Sequence, residues 1–155
     1  MEIVRKVVDK LIFGGVTKLT PLEESLFDAA HKFLPSEISE PIKLQLRSIR
    51  LIQKHLKNKQ IGYILKDGYA GPTVPNQPKD TEVKLLKFRY QIDRKRYTSN
   101  LITWEGVISR LETSSGIPKE VLKKQCDDCS CDLTQSIEKT LAEELHEEEH
   151  GDLKI

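Results

Sequence analysis

Strict alternation marks the centre of the chain. Leu86, Phe88, Tyr90 and Ile92 alternate with Lys87, Arg89 and Gln91. A period of two places the apolar set on one face and predicts a half-buried strand. Residues 93–96 are polar and short enough for a hairpin turn, and Glu105-Gly106 supplies a second turn. The stretch 83–112 therefore predicts a three-stranded antiparallel meander.

Helical spacing dominates the N-terminal part. Ile3, Val4, Val7, Val8, Leu11 and Ile12 predict an amphipathic helix ending at Gly14-Gly15. In Thr20-Pro21-Leu22-Glu23, Thr20 suits the cap, Pro21 the first helical position, and Glu23 the return hydrogen bond. That helix continues through Leu22, Leu26, Ala29, Ala30 and Phe33 until Pro35 stops it. His31 falls among these apolar residues, which predicts a buried or half-buried structural histidine rather than a ligand.

A third helix is expected from Pro41, capped by Ser39, with Ile42, Leu46, Ile49, Ile52 and Leu56 as its apolar stripe. Beside that stripe Lys43, Arg47, Arg50, Lys54 and Lys57 follow the spacing 4, 3, 4, 3. On a helix they would share an arc of about 80° and form one cationic ridge. Such a ridge could track phosphates or meet an acidic protein, although a solvated face is the plainer reading. Residues 61–66 read as a strand turned by Asp67-Gly68. The stretch 69–80, with Pro72, Pro75 and Pro78, reads as a long irregular loop of the functional or mobile kind.

Beyond the meander, a short helix is expected near Pro118. A longer one is expected from Leu133 to Glu149, with Leu133, Ile137, Leu141 and Leu145 every fourth residue. The class this predicts is α+β: N-terminal helices packed on a small antiparallel sheet, followed by C-terminal helices. Residues 1–131 are expected as one domain and 132–155 as an acidic helix and tail.

Composition narrows the setting. A chain of 155 residues, 37% apolar and 32% charged, has the make-up of one globular domain. No apolar run approaches the roughly 20 residues of a membrane span, and no signal peptide is visible. Three cysteines crowded between 126 and 131 do not make a disulfide framework, so the expected location is the cytoplasm.

Net charge conceals a segregation. Residues 41–110 carry 15 basic and 5 acidic side chains, whereas residues 111–155 carry 5 basic and 12 acidic ones. Each region is a candidate surface for something of opposite sign. The acidic candidates are Glu143, Glu144, Glu147 and Glu148.

Motifs for chemistry are sparse. Cys126, Cys129 and Cys131 could contribute thiolates to zinc, but the chain has no second C-x-x-C, and the expectation is no metal and no cofactor. His146 and His150 stand four apart without the rest of a zinc helix motif. Residues 69–80 lack the pattern of a phosphate loop. Phe88, Tyr90, Tyr97 and Trp104 could stack on bases if exposed, yet the alternation assigns Phe88 and Tyr90 to a core. No catalytic constellation is legible, which favours a non-enzyme.

Residues 19–27 (Leu-Thr-Pro-Leu-Glu-Glu-Ser-Leu-Phe), 33–35 (Phe-Leu-Pro), 45–53 and 104–112 resemble a layout in small uncharacterised bacterial proteins of leading helices, polar loop and antiparallel sheet. The resemblance covers residues 19–113 and rests on apolar spacing. By analogy of size and style it points to binding partners, among them immunity proteins that block a toxin. Two functions follow as expectations. One is a protein-binding module whose acidic surface meets a basic partner, such as a toxin domain. The other is a nucleic-acid binder using the basic ridge and the Arg94-Lys95-Arg96 turn.

Overall fold

The computed structural model describes residues 16–126 and 128–134. In chain order these form α1 (Pro21–Phe33), α2 (Ser36–Arg47), β1 (Ile49–His55), β2 (Gln60–Leu65), β3 (Glu82–Ile92), β4 (Lys95–Trp104), β5 (Val107–Glu112), α3 (Lys119–Leu122) and β6 (Asp128–Leu133). The six strands make one sheet in the order β1-β2-β5-β4-β3-β6, with every neighbouring pair antiparallel. The class is α+β, with two helices leading and only the short α3 following the meander among the described residues.

The meander forms as its alternation requires. Leu86, Phe88, Tyr90 and Ile92 are buried, while Arg89 and Gln91 are exposed. Its first turn is tighter than the four polar residues suggested: Asp93 and Arg94 alone make it, at φ 50° and 67°, and Lys95 already belongs to β4. Glu105 and Gly106 make the second turn at φ 49° and 82°. Two successive left-handed residues match the twist of the flanking strands.

The helix at Thr20 is also local in origin. The Thr20 hydroxyl accepts from the Glu23 amide at 3.3 Å, and Glu23 Oε1 accepts from the Thr20 amide at 3.3 Å. This reciprocal cap satisfies two amides that the first helical turn would otherwise leave unpaired. Glu23 is itself fully buried, and its second oxygen accepts the Tyr63 hydroxyl at 2.8 Å. Burial, reinforced by this carboxylate, pushes the Tyr63 phenol well above its ordinary value.

Three expectations for the chain's elements are corrected. The third helix starts at Ser36, carries Pro41 inside it, and stops at Arg47, so Ile49–His55 is a strand. The spacing of Ile49, Ile52 and Leu56 fits a helix, but pairing with β2 wins. As a strand the segment sets Leu51 and Ile52 on opposite faces and buries both, each 1% exposed. Second, Leu133 ends β6 rather than starting a helix, so the expected boundary at residue 131 falls inside a strand. The rest of that expected helix, and the one at Ile3–Ile12, lie outside the described residues. Third, His31 is exposed, its side chain 47% accessible, with Nδ1 3.9 Å from Glu40 Oε1.

The loop 69–80 is irregular but tied down. Val74 is buried and its amide donates to the Gly106 carbonyl at 3.0 Å. Gln45, fully buried on α2, donates to the carbonyls of Gly106 at 2.9 Å and Pro72 at 3.2 Å, and accepts from the Ile108 amide at 2.8 Å. One side chain thus joins α2, the loop and the second hairpin.

Candidate functional site

The basic residues singled out by spacing do not form a ridge. Lys43 and Arg47 lie on α2, Arg50 and Lys54 on β1, and Lys57 in the β1–β2 hairpin at φ 56°. The change from helix to strand at Ser48 breaks the 100° periodicity that would have aligned them. Arg50 is committed elsewhere, with Nη1 3.3 Å from Asp67. The Lys57 backbone is clamped as well, its carbonyl accepting from the Ile117 amide at 3.2 Å while Asn58 Nδ2 donates to the Ile117 carbonyl at 2.8 Å.

Glu143, Glu144, Glu147, Glu148, His146 and His150 lie outside the described residues. What the fold does place is the strand that leads to them. β6 is an edge of the sheet and pairs with β3 alone among the described strands. Asp128, Ser130 and Asp132 are exposed on it, and Asp132 pairs with Arg89 at 3.2 Å.

The thiols sit on the other face of β6. Cys129 lies opposite Tyr90 and Cys131 opposite Phe88, so both follow the alternation toward the core. Cys126 precedes the strand, its amide donating to Ser25 Oγ at 3.1 Å. Burial pushes the thiols of both Cys129 and Cys131 up to about 12, and for Cys129 the neighbouring Cys126 adds to it. Such thiols stay protonated at neutral pH and are weak nucleophiles there. Among the described residues no three His, Cys, Asp or Glu side chains converge as a metal site.

The aromatic residues belong to the core rather than to a stacking platform. Phe88, Tyr90 and Tyr97 are buried, and the two tyrosine rings stack on each other with centroids 5.5 Å apart. The Tyr90 hydroxyl continues into a chain with Ser99 at 2.7 Å and Thr113 beyond it at 2.6 Å. Trp104 is the exception, at 42% exposure beside the second hairpin turn.

The feature that spacing did not reveal is a cleft of about 170 Å³ between α1 and α2. Leu34 and Pro35 join these helices so closely that they form a helical hairpin. Phe27, Ala30, Ile42 and Leu46 give the cleft an apolar lining, and Asp28, His31, Ser39 and Lys43 add polar groups. The recurrence of Phe27/Ala30/His31 and Ser39/Ile42/Lys43/Leu46 at three and four residues is the sequence signal for such a shared face. It becomes informative only once the two helices are known to be neighbours.

Comparison of the chain with protein-family models, with curated proteins and with solved structures gives no match. Among the described residues no helix is long and apolar enough to cross a membrane.

Proposed function

We propose that the protein is a binding module that captures a cationic protein partner through its acidic C-terminal region, in the manner of an immunity protein that blocks a basic toxin domain. The observation that carries this reading is the charge segregation, with 12 acidic against 5 basic residues in 111–155. The fold adds a point of departure for that region: β6 runs along a sheet edge with Asp128 and Asp132 exposed, and the acidic stretch follows it directly. Clustered carboxylates steer a cationic partner mainly by raising its association rate, over a Debye length of about 8 Å.

The nucleic-acid reading keeps the exposed Arg94, Lys95 and Arg96 at the β3–β4 hairpin but loses two other supports. The basic side chains are divided among helix, strand and hairpin, Arg50 is paired with Asp67, and three of the four candidate stacking aromatics are buried.

The test uses a panel of basic nuclease toxin domains and, separately, labelled RNA and DNA. The expected result is tight association with a basic domain that weakens with salt, and a much slower association rate after Glu143, Glu144, Glu147 and Glu148 are all changed to lysine. If that variant retains the partner while Lys43, Arg47, Arg50, Lys54 and Lys57 changed to glutamate abolish binding to it or to RNA, the basic residues are the working surface and the proposal is wrong.

A further inference from the structure

The α1–α2 cleft sets two opposite charges over an apolar floor without letting them neutralise each other. Asp28 lines it from α1 and Lys43 from α2, yet neither enters an ion pair. The neighbouring pair across the same hairpin, His31 and Glu40, does approach to 3.9 Å. Ser39, on the same side as Lys43 and one turn before it, is only 3% exposed and also lines the cleft.

We propose that this cleft binds a free α-amino acid with a compact apolar side chain. The ligand's ammonium group faces Asp28, its carboxylate faces Lys43 and the Ser39 hydroxyl, and its side chain rests on Phe27, Ile42 and Leu46. The size fits: the cleft's 170 Å³ is comparable to the roughly 150 Å³ cavity that accommodates benzene in an engineered protein, enough for a branched aliphatic side chain. The sign of the charges selects the class. A simple carboxylate would meet Asp28, and a simple amine would meet Lys43, as a like charge across the cleft. A zwitterion satisfies both walls and hydrogen-bonds to charged groups at each end. The inference stands apart from the acidic C-terminal surface and does not depend on it.

The experiment is a two-dimensional amide NMR titration of the full chain with L-leucine, with isovalerate and isoamylamine as analogues lacking one charge each, and with glycine as the analogue lacking the side chain. L-Leucine is expected to give saturable shifts confined to residues 27–46. Each single-charge analogue should bind at least about fivefold more weakly, and glycine should not saturate. Asp28→Asn and Lys43→Gln should each weaken leucine binding by about tenfold while leaving the spectrum otherwise native, since neither side chain belongs to the core. Absence of saturable shifts with leucine would overturn the proposal. So would isovalerate or isoamylamine binding as well as leucine, or either variant binding it unchanged.

Discussion

Gln45 and Gly106 lie 61 residues apart, yet the carboxamide of the first donates to the carbonyl of the second at 2.9 Å inside the protein. The same carbonyl accepts the Val74 amide at 3.0 Å, so helix, loop and hairpin meet at one oxygen. The Gly106 backbone has φ +82°, and a Cβ built there would stand 2.5 Å from the Val74 carbonyl. Glycine is required at this position both by the left-handed backbone and by the close approach.

Gly106→Ala and Gln45→Leu should therefore each destabilise the fold, through backbone strain in the first and an unpaired Ile108 amide in the second, by about 1–3 kcal/mol. Because both changes act on one junction, the double variant should lose less than the sum. Urea unfolding followed by Trp104, the chain's single tryptophan, reads the midpoints. Midpoints unchanged from the parent protein would show that the junction contributes nothing to stability.

A second prediction concerns the buried carboxylate. Tyr63→Phe removes the donor at 2.8 Å from Glu23 and leaves that oxygen enclosed without it. Hydrogen bonds to charged groups contribute about 1.5–3 kcal/mol, more than the roughly 1 kcal/mol expected for losing the helix cap in Thr20→Ala. Equilibrium unfolding of both variants should rank them in that order. A Tyr63→Phe protein as stable as the parent would mean that the contact only fills space.

Alkaline pH should unfold the protein by a route that sequence composition does not suggest. Burial raises the phenols of Tyr63 and Tyr90, Tyr90 to about 12, and the thiols of Cys129 and Cys131 to about 12. In each case the folded state holds its proton more tightly than the unfolded chain. The unfolded state therefore binds fewer protons once pH exceeds the ordinary values, and stability falls as pH rises. The contribution is fully present below the ordinary thiol value of 9.0 and declines from there for the cysteines. For the tyrosines the decline begins near 10.0, and for Tyr90, Cys129 and Cys131 it is complete above about 12. Tyr90→Phe should flatten the alkaline part of a stability-versus-pH curve. The same protection should slow alkylation of Cys129 and Cys131 in the native state relative to urea, read by mass spectrometry. Rapid labelling of both thiols near neutral pH without denaturant would contradict their enclosure.

How much of this was legible beforehand depends on the range of the interactions that decide each element. The meander from Val83 to Glu112 and the cap at Thr20 were written in neighbouring residues, through strict alternation, short polar turns and a reciprocal side-chain cap. Local chemistry determined them, and the structure follows. The alternation of Leu86, Phe88, Tyr90 and Ile92 with polar neighbours likewise marks part of the core.

Tertiary structure decided the rest. The pattern Ile42, Leu46, Ile49, Ile52 continues a helix as well as any local rule can tell, and only pairing with β2 turns the chain into a strand at Ile49. That single change dissolved the cationic ridge, because side chains three and four apart share a face only on a helix. Cys126 to Leu133 carried no strand signal of its own and became β6 because β3 offered it a free edge. Gln45 stands three residues after Ile42, on the buried side of α2, and its polarity was the one available sign of a distant partner. Asp28 and Lys43 carried no sign at all: side chains on separate helices acquire a common cleft only when the connection at Leu34-Pro35 sets those helices side by side.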